Sequence, residues 1–597
     1  MADRKHCVIT VWLALSLAVI TGLFLALLES ARTASQQWYL EFSARQAADS
    51  LFADYHRELW ERYRVFGLEE YSGEEIRDEL YGYLAPYADR KKNHSWVDLS
   101  FSPEKITVMK TETLLSENGR PLKEEILSFM RTAWITDGSP AADAEALLHK
   151  AQTERTEEDV SEWIGGLCEA GTDMAGYSLS ICEEADLLRQ KKRHLIRDAE
   201  DGDGAGFSER SSEMELGAKK ILSLAEKCRE ASERYDAGTA SRREEAADTA
   251  ELRRKLVTLT ADVRQLLKDL TAAEELSEAA QREEETEEDA DSERLSEIRE
   301  EAVTAAEGIT LPEEIWSRRS GDPEKLSRLE KAGDLLSGGL LELLLPEGTV
   351  IREEPISIPE APSAQAYGAG ALEVYPITDR LLLSEYVLRT TLYYEKENSG
   401  KELQAEYVTY GRENDRENIA AAVGEGMAIR TGSALMALIC DSTKRKEAEA
   451  LSAAVTGGMP GTMEAVTFVI LALWAAWQAA SDIRVLLAGG KVPAFRQASE
   501  FTVSLSDVLS GMLPERNSET GLSSRDCLRL LLAMHMDDAR VLRMADVMQH
   551  ELMKTQEDFR MKRMVTEFSA VIGAESQHVF SVGGTYEMQT AAGRSYD

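Results

Sequence analysis

The sequence predicts a mainly α-helical protein with minor β structure, and three features predict it. Residues 7–28 (CVITVWLALSLAVITGLFLALL) form an apolar run without a charge. From Pro140 to about Leu311 the chain is dominated by Ala, Glu, Leu, Lys and Arg in helical period. Met564–Gly573 and His578–Thr590 alternate apolar and polar residues around a short polar turn, the pattern of a β-hairpin. The expected order is a transmembrane helix, a long helical hairpin or coiled-coil middle, and a C-terminal helical domain ending in that hairpin.

At about 1.5 Å of rise per residue, the apolar run covers the roughly 30 Å hydrocarbon core of a bilayer. Arg4 and Lys5 precede it, and the positive-inside bias keeps residues 1–6 cytoplasmic and exports the chain beyond the run. The run is longer than a signal-peptide core and exits into Glu29-Ser30-Ala31-Arg32 without an A-x-A cleavage pattern, so it reads as an uncleaved anchor. Helical period continues from Thr33 to Phe66 with no breaker before Gly67. One long helix is therefore expected to leave the membrane, with Trp38, Tyr39 and Phe42 packed on the exported body. Glu29 and Arg32 either pair across neighbouring anchors or mark the interface, where charged ends reach water at little cost.

A membrane-proximal α+β region occupies 29–139. Within it Ser100–Leu114 alternates as a strand, with Ile106 and Val108 on one face, and Asn118-Gly119 signals a turn into a helix. The acidic helical region spans 140–311. There Leu252, Leu256, Leu259, Val263, Leu266 and Leu270 alternate spacings of four and three, a heptad seam about three heptads long. So short a seam favours a helical hairpin within one chain over a coiled coil between chains. Asp198–Phe207 (DAEDGDGAGF) looks like a calcium loop, but setting Gly204 at the loop glycine puts Ala199 and Arg210 at the first and last ligand positions. It reads as an inter-helix connector. A helical segment and a proline-rich linker are expected over 312–371, and the C-terminal domain over 372–597.

Ala465–Ala480 (AVTFVILALWAAWQAA) invites a second span, yet it contains Gln478 and runs into Asp482 and Arg484. Some sixteen residues fall short of the about twenty a span requires, so a buried core helix is expected. A true span would return the residues after Gly490 to the cytoplasm.

A net charge of −39 over 597 residues opposes binding to nucleic-acid phosphates. The acidic run from Glu274 to Glu301 reads as a solvated face, with a cation-rich partner as the alternative. Cys7, Cys168, Cys182, Cys228, Cys440 and Cys527 are too few for a disulfide scaffold and are expected to be reduced, buried thiols. No H-E-x-x-H, G-x-S-x-G, P-loop or dinucleotide fingerprint occurs, and His535, between Met534 and Met536, reads as a surface or satisfied core histidine. No catalytic, cofactor-binding or metal residue is therefore assigned. In so acidic a chain, adjacent carboxylates carry no information.

The opening VITVWLALSLAVITGLFLALLESAR with ELWERYRVFGLEE, then LSENGRPLKEEILSFM, LQAEYVTYGRENDRENIAAAV, DIRVLLAGGKVP and LSSRDCLRLLLAM, resemble an uncharacterised Firmicutes family of single-span envelope proteins. Its members resemble the pseudopilin-like proteins of tight-adherence (Flp-type) pilus systems. The central acidic helices lie outside the resemblance. No glycine cleavage site precedes the apolar run and no glutamate stands near its start, so prepilin processing is not implied. The family has no assigned activity. With one apolar run and no catalytic motif found, the expectation is a single-pass, extracytoplasmic structural or assembly protein, a minor pilus-like component or an envelope scaffold, rather than an enzyme. Its partners would be the membrane and other envelope or pilus-assembly proteins, met through helical surfaces, with a homo-oligomer as one form. Two rivals stand beside it. One is a membrane-tethered envelope enzyme, favoured by a cleft of carboxylates with perturbed pKa between Leu381 and Asp597. The other is a two-span transducer, if 465–480 crosses the membrane.

Overall fold

A computed structural model describes residues 2–69, 72–88, 98–137, 141–155, 159–286, 292–365, 375–580 and 584–596. The chain begins with α1 (Ala2–Phe52), α2 (Arg57–Tyr63), β1 (Leu68–Glu69), α3 (Gly73–Ala88), β2 (Ser102–Thr113), α4 (Ser116–Asp137) and α5 (Ala141–Glu154). Four long helices come next: α6 (Val160–Asp201), α7 (Gly204–Gly238), α8 (Ala250–Thr286) and α9 (Ser292–Gly308). After α10 (Pro323–Ser337) and α11 (Leu340–Leu344) come α12 (Ile377–Thr390), α13 (Gln404–Tyr410), α14 (Asp415–Cys440), α15 (Ser442–Thr456) and α16 (Thr462–Leu487). The chain closes with α17 (Leu505–Ser510), α18 (Ser524–His535), α19 (Asp538–Met553), β3 (Met564–Gln577) and β4 (Thr585–Ser595). The fold is mainly α with minor β.

Three of these helices, from Val8 in α1, α14 and α16, are long and apolar enough to cross a membrane. They differ in what covers them. The apolar window of α1 is wholly uncovered, whereas most of that of α16 is buried inside the protein. In α1 the hydroxyls of Ser16 and Thr21 donate to the carbonyls of Trp12 and Leu17, at 2.9 and 2.7 Å, so its polar side chains are satisfied within the helix.

The second half of α1 is an ordinary amphipathic helix. Leu40, Ala44, Ala47, Ala48 and Leu51 recur at helical spacing and are buried against the sheet and α3. In that antiparallel sheet β3 is the central strand, with β2 on one edge and β4, preceded by β1, on the other. Ile106 pairs with Ile572, and Val108 with Ala570. The expected strand and hairpin therefore belong to one sheet built from both ends of the chain. Expectation fails on α1 at two points. The helix stops at Phe52, because His56 donates its backbone N–H to Gly67 O (2.9 Å) while its Nδ1 caps α2 through Leu59 N–H (3.2 Å). Tyr39 packs on Phe101 as expected, but Trp38 and Phe42 stack on each other in solvent, Trp38 being 63 % exposed.

The predicted turn at Asn118-Gly119 is present, with φ of +58° and +85° inside α4. Helices α6 to α9 form a bundle in which each packs on the next and α9 returns to α6. All six residues of the heptad seam are buried there, within one chain. The connector at Asp198–Phe207 is a tight turn: Gly202 closes α6 at φ +74° and Asp203 caps α7 through Gly206 N–H (3.0 Å). Cys168, Cys182 and Cys228 are buried thiols; against expectation Cys527 is only half-buried and Cys440, the last residue of α14, is exposed.

Helix α16 is the axis of the largest core, wrapped by α6, α10, α14 and α15. At Gly171 the backbone of α6 comes so close that a Cβ would lie 2.7 Å from Val469 Cγ2. Gln478, the one amide in the apolar stretch, accepts the backbone N–H groups of Thr502 and Val503 at 2.8 and 3.1 Å. Asp482 receives Arg430 at 2.9 Å and Arg496 at 2.9 Å. These polar groups hold the segment after α16 against it. The proline-rich stretch before α12 is likewise packed down: Ile356 N–H donates to Glu413 O (2.8 Å), and Gln549 Nε2 to Pro359 O (2.7 Å). Trp474 is fully buried and donates to Val503 O at 2.8 Å. We expect Trp474→Ala to cost about 3–5 kcal/mol in denaturant unfolding of the solubilised chain, against less than about 0.5 kcal/mol for Val257→Ala, which is exposed on α8.

Candidate functional site

The strongest concentration of perturbed groups lies where the packed-down strap meets α13, α14 and α19. Leu403 and Ala405 turn into the core at the start of α13, and helical spacing carries Glu406 in with them. Glu406 is only 2 % exposed; its Oε1 accepts Tyr394 N–H at 2.7 Å and its Oε2 has no hydrogen-bond partner. Burial pushes its pKa up to about 7, against the pull of its backbone hydrogen bonds, and the Asp415 carboxylate adds to the rise. Asp415, the first residue of α14, is equally buried and leaves Oδ1 without a partner. Its pKa is also raised by burial, with Leu403 N–H and Arg352 opposing and Glu402 assisting.

Glu402 goes the other way. Burial raises it, but hydrogen bonds from Arg352 (2.8 Å) and Lys554 (3.0 Å), with His550 beside them, bring it down to about 2. A cavity of about 190 Å³ opens here, lined in part by Arg352, Ile356, Glu402, Tyr407, Asp415 and His550. Two carboxyls that line this cavity are pushed apart, Asp415 upward and Glu402 downward, and such a pair is what acid–base chemistry uses. Glu406 itself does not line the cavity.

Donor atoms of Glu402, His550 and Glu551 lie within 4.8 Å of one another, close enough for a metal ion. The position between the two carboxylates is already filled. Lys554 Nζ sits 3.0 Å from Glu402 Oε2 and 2.6 Å from Glu551 Oε1, and Gln404 Nε2 also reaches Glu551 Oε1 at 2.6 Å. The ammonium supplies the charge a cation would bring.

A second cluster centres on Glu425 of α14. It accepts from His535 Nε2 (2.7 Å) and Tyr410 Oη (2.7 Å), with Arg155 at 3.0 Å. Burial raises its pKa, and His535, Tyr410 and Arg155 together outweigh that and hold it below the usual carboxylate range. His535 is thus a satisfied, half-buried histidine. The sequence offered a signal for Glu406, an acid in the inward stripe of Leu403, Ala405 and Val408. None marked its approach to Asp415 and the α19 residues.

Residues 318–576 match a family of unknown function (DUF5702), which takes in the first cluster, the second apart from Arg155, α16 and most of β3. The match stops short of α1, the α6–α9 bundle and β4. No curated protein and no solved structure matches the chain.

A carboxyl with a raised folded pKa favours the folded state at low pH and loses that advantage as pH rises from its unfolded value through the folded one. For Glu406 the window runs from about 4.5 to about 7, on the order of 3 kcal/mol. Glu406→Gln keeps the acceptor for Tyr394 and removes the titration. We expect the variant to gain at least about 2 kcal/mol over the parent between pH 5 and pH 8 in urea unfolding. Parallel pH profiles for the two proteins would contradict the assignment.

Proposed function

We propose that this chain is a membrane-anchored extracytoplasmic structural or assembly protein of the cell envelope, a minor component or scaffold of the pilus-like, tight-adherence kind. The observation that carries it is the continuity of α1, whose uncovered apolar half runs without interruption into a half packed in the sheet core. A helix built this way joins bilayer and body without a joint. The burial of α16 on every side supports a single span, because a second span would need a lipid-facing surface that α16 lacks. The positive residues before the apolar run support export of everything after it.

A second reading, the membrane-tethered envelope enzyme, is favoured by the Glu406, Asp415 and Glu402 cluster beside its cavity. Substitution separates the two. Asp415→Asn abolishes a hydrolytic activity on envelope polymers in the enzymatic reading and leaves assembly of partner proteins untouched in the structural one.

Exposed Cys440 gives a direct test of topology. In intact cells a membrane-impermeant maleimide is expected to label Cys440 in a Cys7→Ala, Cys527→Ser background. Labelling that requires opening the membrane would place the body in the cytoplasm and overturn the exported reading.

A further inference from the structure

The tip of the β3–β4 hairpin is fastened to the helix at the level where the apolar run ends. Glu29, immediately after Leu28, is buried although it opens the polar part of α1. It accepts His578 Nδ1 at 2.9 Å and Phe580 N–H at 2.9 Å, with Val579 N–H at 3.4 Å. One turn on, Arg32 Nη1 donates to Gln577 O at 2.7 Å and lies 3.5 Å from Glu29. His578 stacks on Tyr586, whose hydroxyl hydrogen-bonds Gln36. Beyond the tip, β4 runs alongside α1 away from the apolar run: Gln37 Nε2 donates to Gln589 O (2.9 Å), Arg594 meets Asp49 (3.2 Å) and Tyr596 Oη donates to Phe52 O (2.7 Å).

The charges at the helix exit are therefore neither bare at the interface nor free for a neighbouring anchor; the hairpin covers them. The interfacial layer beyond each face of the hydrocarbon is on the order of 6 Å thick. Glu29 is one residue past the run, about 1.5 Å of rise. Whatever is bonded to Glu29 stands in that layer. The tip presents Val579, 47 % exposed, and Phe580, half-buried, on that side of the sheet. Apolar and aromatic side chains are what headgroup-level contacts use.

We infer that the hairpin tip at His578–Phe580 is a second membrane contact, seated among lipid headgroups beside the helix exit. It rests on the anchored reading above. Two contacts on one rigid body fix which face of the sheet meets the bilayer and hold α3 and the helical cores to one side. A span alone leaves the body free to rotate about the helix axis.

The test uses the full chain in vesicles of phosphatidylcholine and phosphatidylglycerol at 3:1. Cys7→Ala, Cys440→Ser and Cys527→Ser leave only the three buried thiols, Cys168, Cys182 and Cys228. A bimane label is placed at Val579→Cys, at Leu17→Cys in the run, or at Val257→Cys on the bundle. We expect lipids carrying a nitroxide at the headgroup or carbon 5 to quench the 579 label several-fold more than the 257 label. Aqueous iodide should do the reverse, and carbon-12 nitroxide should quench the 17 label. Iodide quenching at 579 equal to that at 257, with the 17 label still reached by lipid, would overturn the tip contact and leave the anchor standing. Failure at 17 as well would remove both.

Discussion

Everything in this molecule hangs on a helix with two surfaces, an apolar half that the protein leaves uncovered and a half packed into the sheet core. A segment in hydrocarbon must satisfy its backbone internally, and a helix does so along its whole length. Once started, α1 has no Pro and only Gly22 to weaken it, so the same hydrogen-bond ladder carries it from the uncovered apolar half, long enough to span a bilayer, into the half packed on the sheet. There the requirement changes. An isolated helix in water needs an apolar face covered, and Leu40, Ala44, Ala47 and Leu51 provide one that the sheet covers. In the anchored reading proposed above, the apolar half sets where the helix stands, and the packed half sets what stands on it.

The sheet that covers it draws its strands from opposite ends of the chain, β2 from 102–113 and β3–β4 from 564–595. Closing so long a loop is costly only in a logarithmic sense, because the entropy of closure grows slowly with length. What lies between is not a tether. It is two further cores: one from α4, α12, α18 and α19, the other around α16 and the bundle. The polar groups at the end of α16, Gln478 and Asp482, hold its flanking segment in place. An ion group buried this deeply gives register more than net stability. Of the carboxylates beside the strap, Glu402 holds it through Arg352, while Glu406 and Asp415 keep raised pKa values and oxygens without partners.

Periodicity made the elements legible and left their meetings dark. The charge-free run, the heptad leucines and the alternation of Met564–Gly573 each state a local rule, and each appears in place. Ala465–Ala480 was legible as a core helix through Gln478 and the charges that follow it, not through its length: α16 runs for 26 residues, enough to span. The pairing of Ile106 with Ile572 was not, since a strand's partner leaves no trace in its own pattern. The break after Phe52 was missed because it comes from a long-range bond, His56 to Gly67, in a stretch without Pro or Gly. Trp38 and Phe42 were misplaced because helical spacing gives a face and not what fills it. Glu406 was passed over in so acidic a chain although it stands in the inward stripe with Leu403, Ala405 and Val408, and its approach to Asp415 left no mark at all.

The rigidity of the join between anchor and body is the claim most open to a direct measurement. Spin labels at Val19→Cys in the apolar run and Glu587→Cys on β4, both exposed positions, report one distance by double electron–electron resonance in lipid nanodiscs. An unbroken α1 bonded to the hairpin predicts a single narrow distance distribution, the same in bilayers and in detergent. A broad distribution, or one that changes between the two, would mean that the helix hinges at the membrane exit, and the account of a body held rigidly on its anchor would fail.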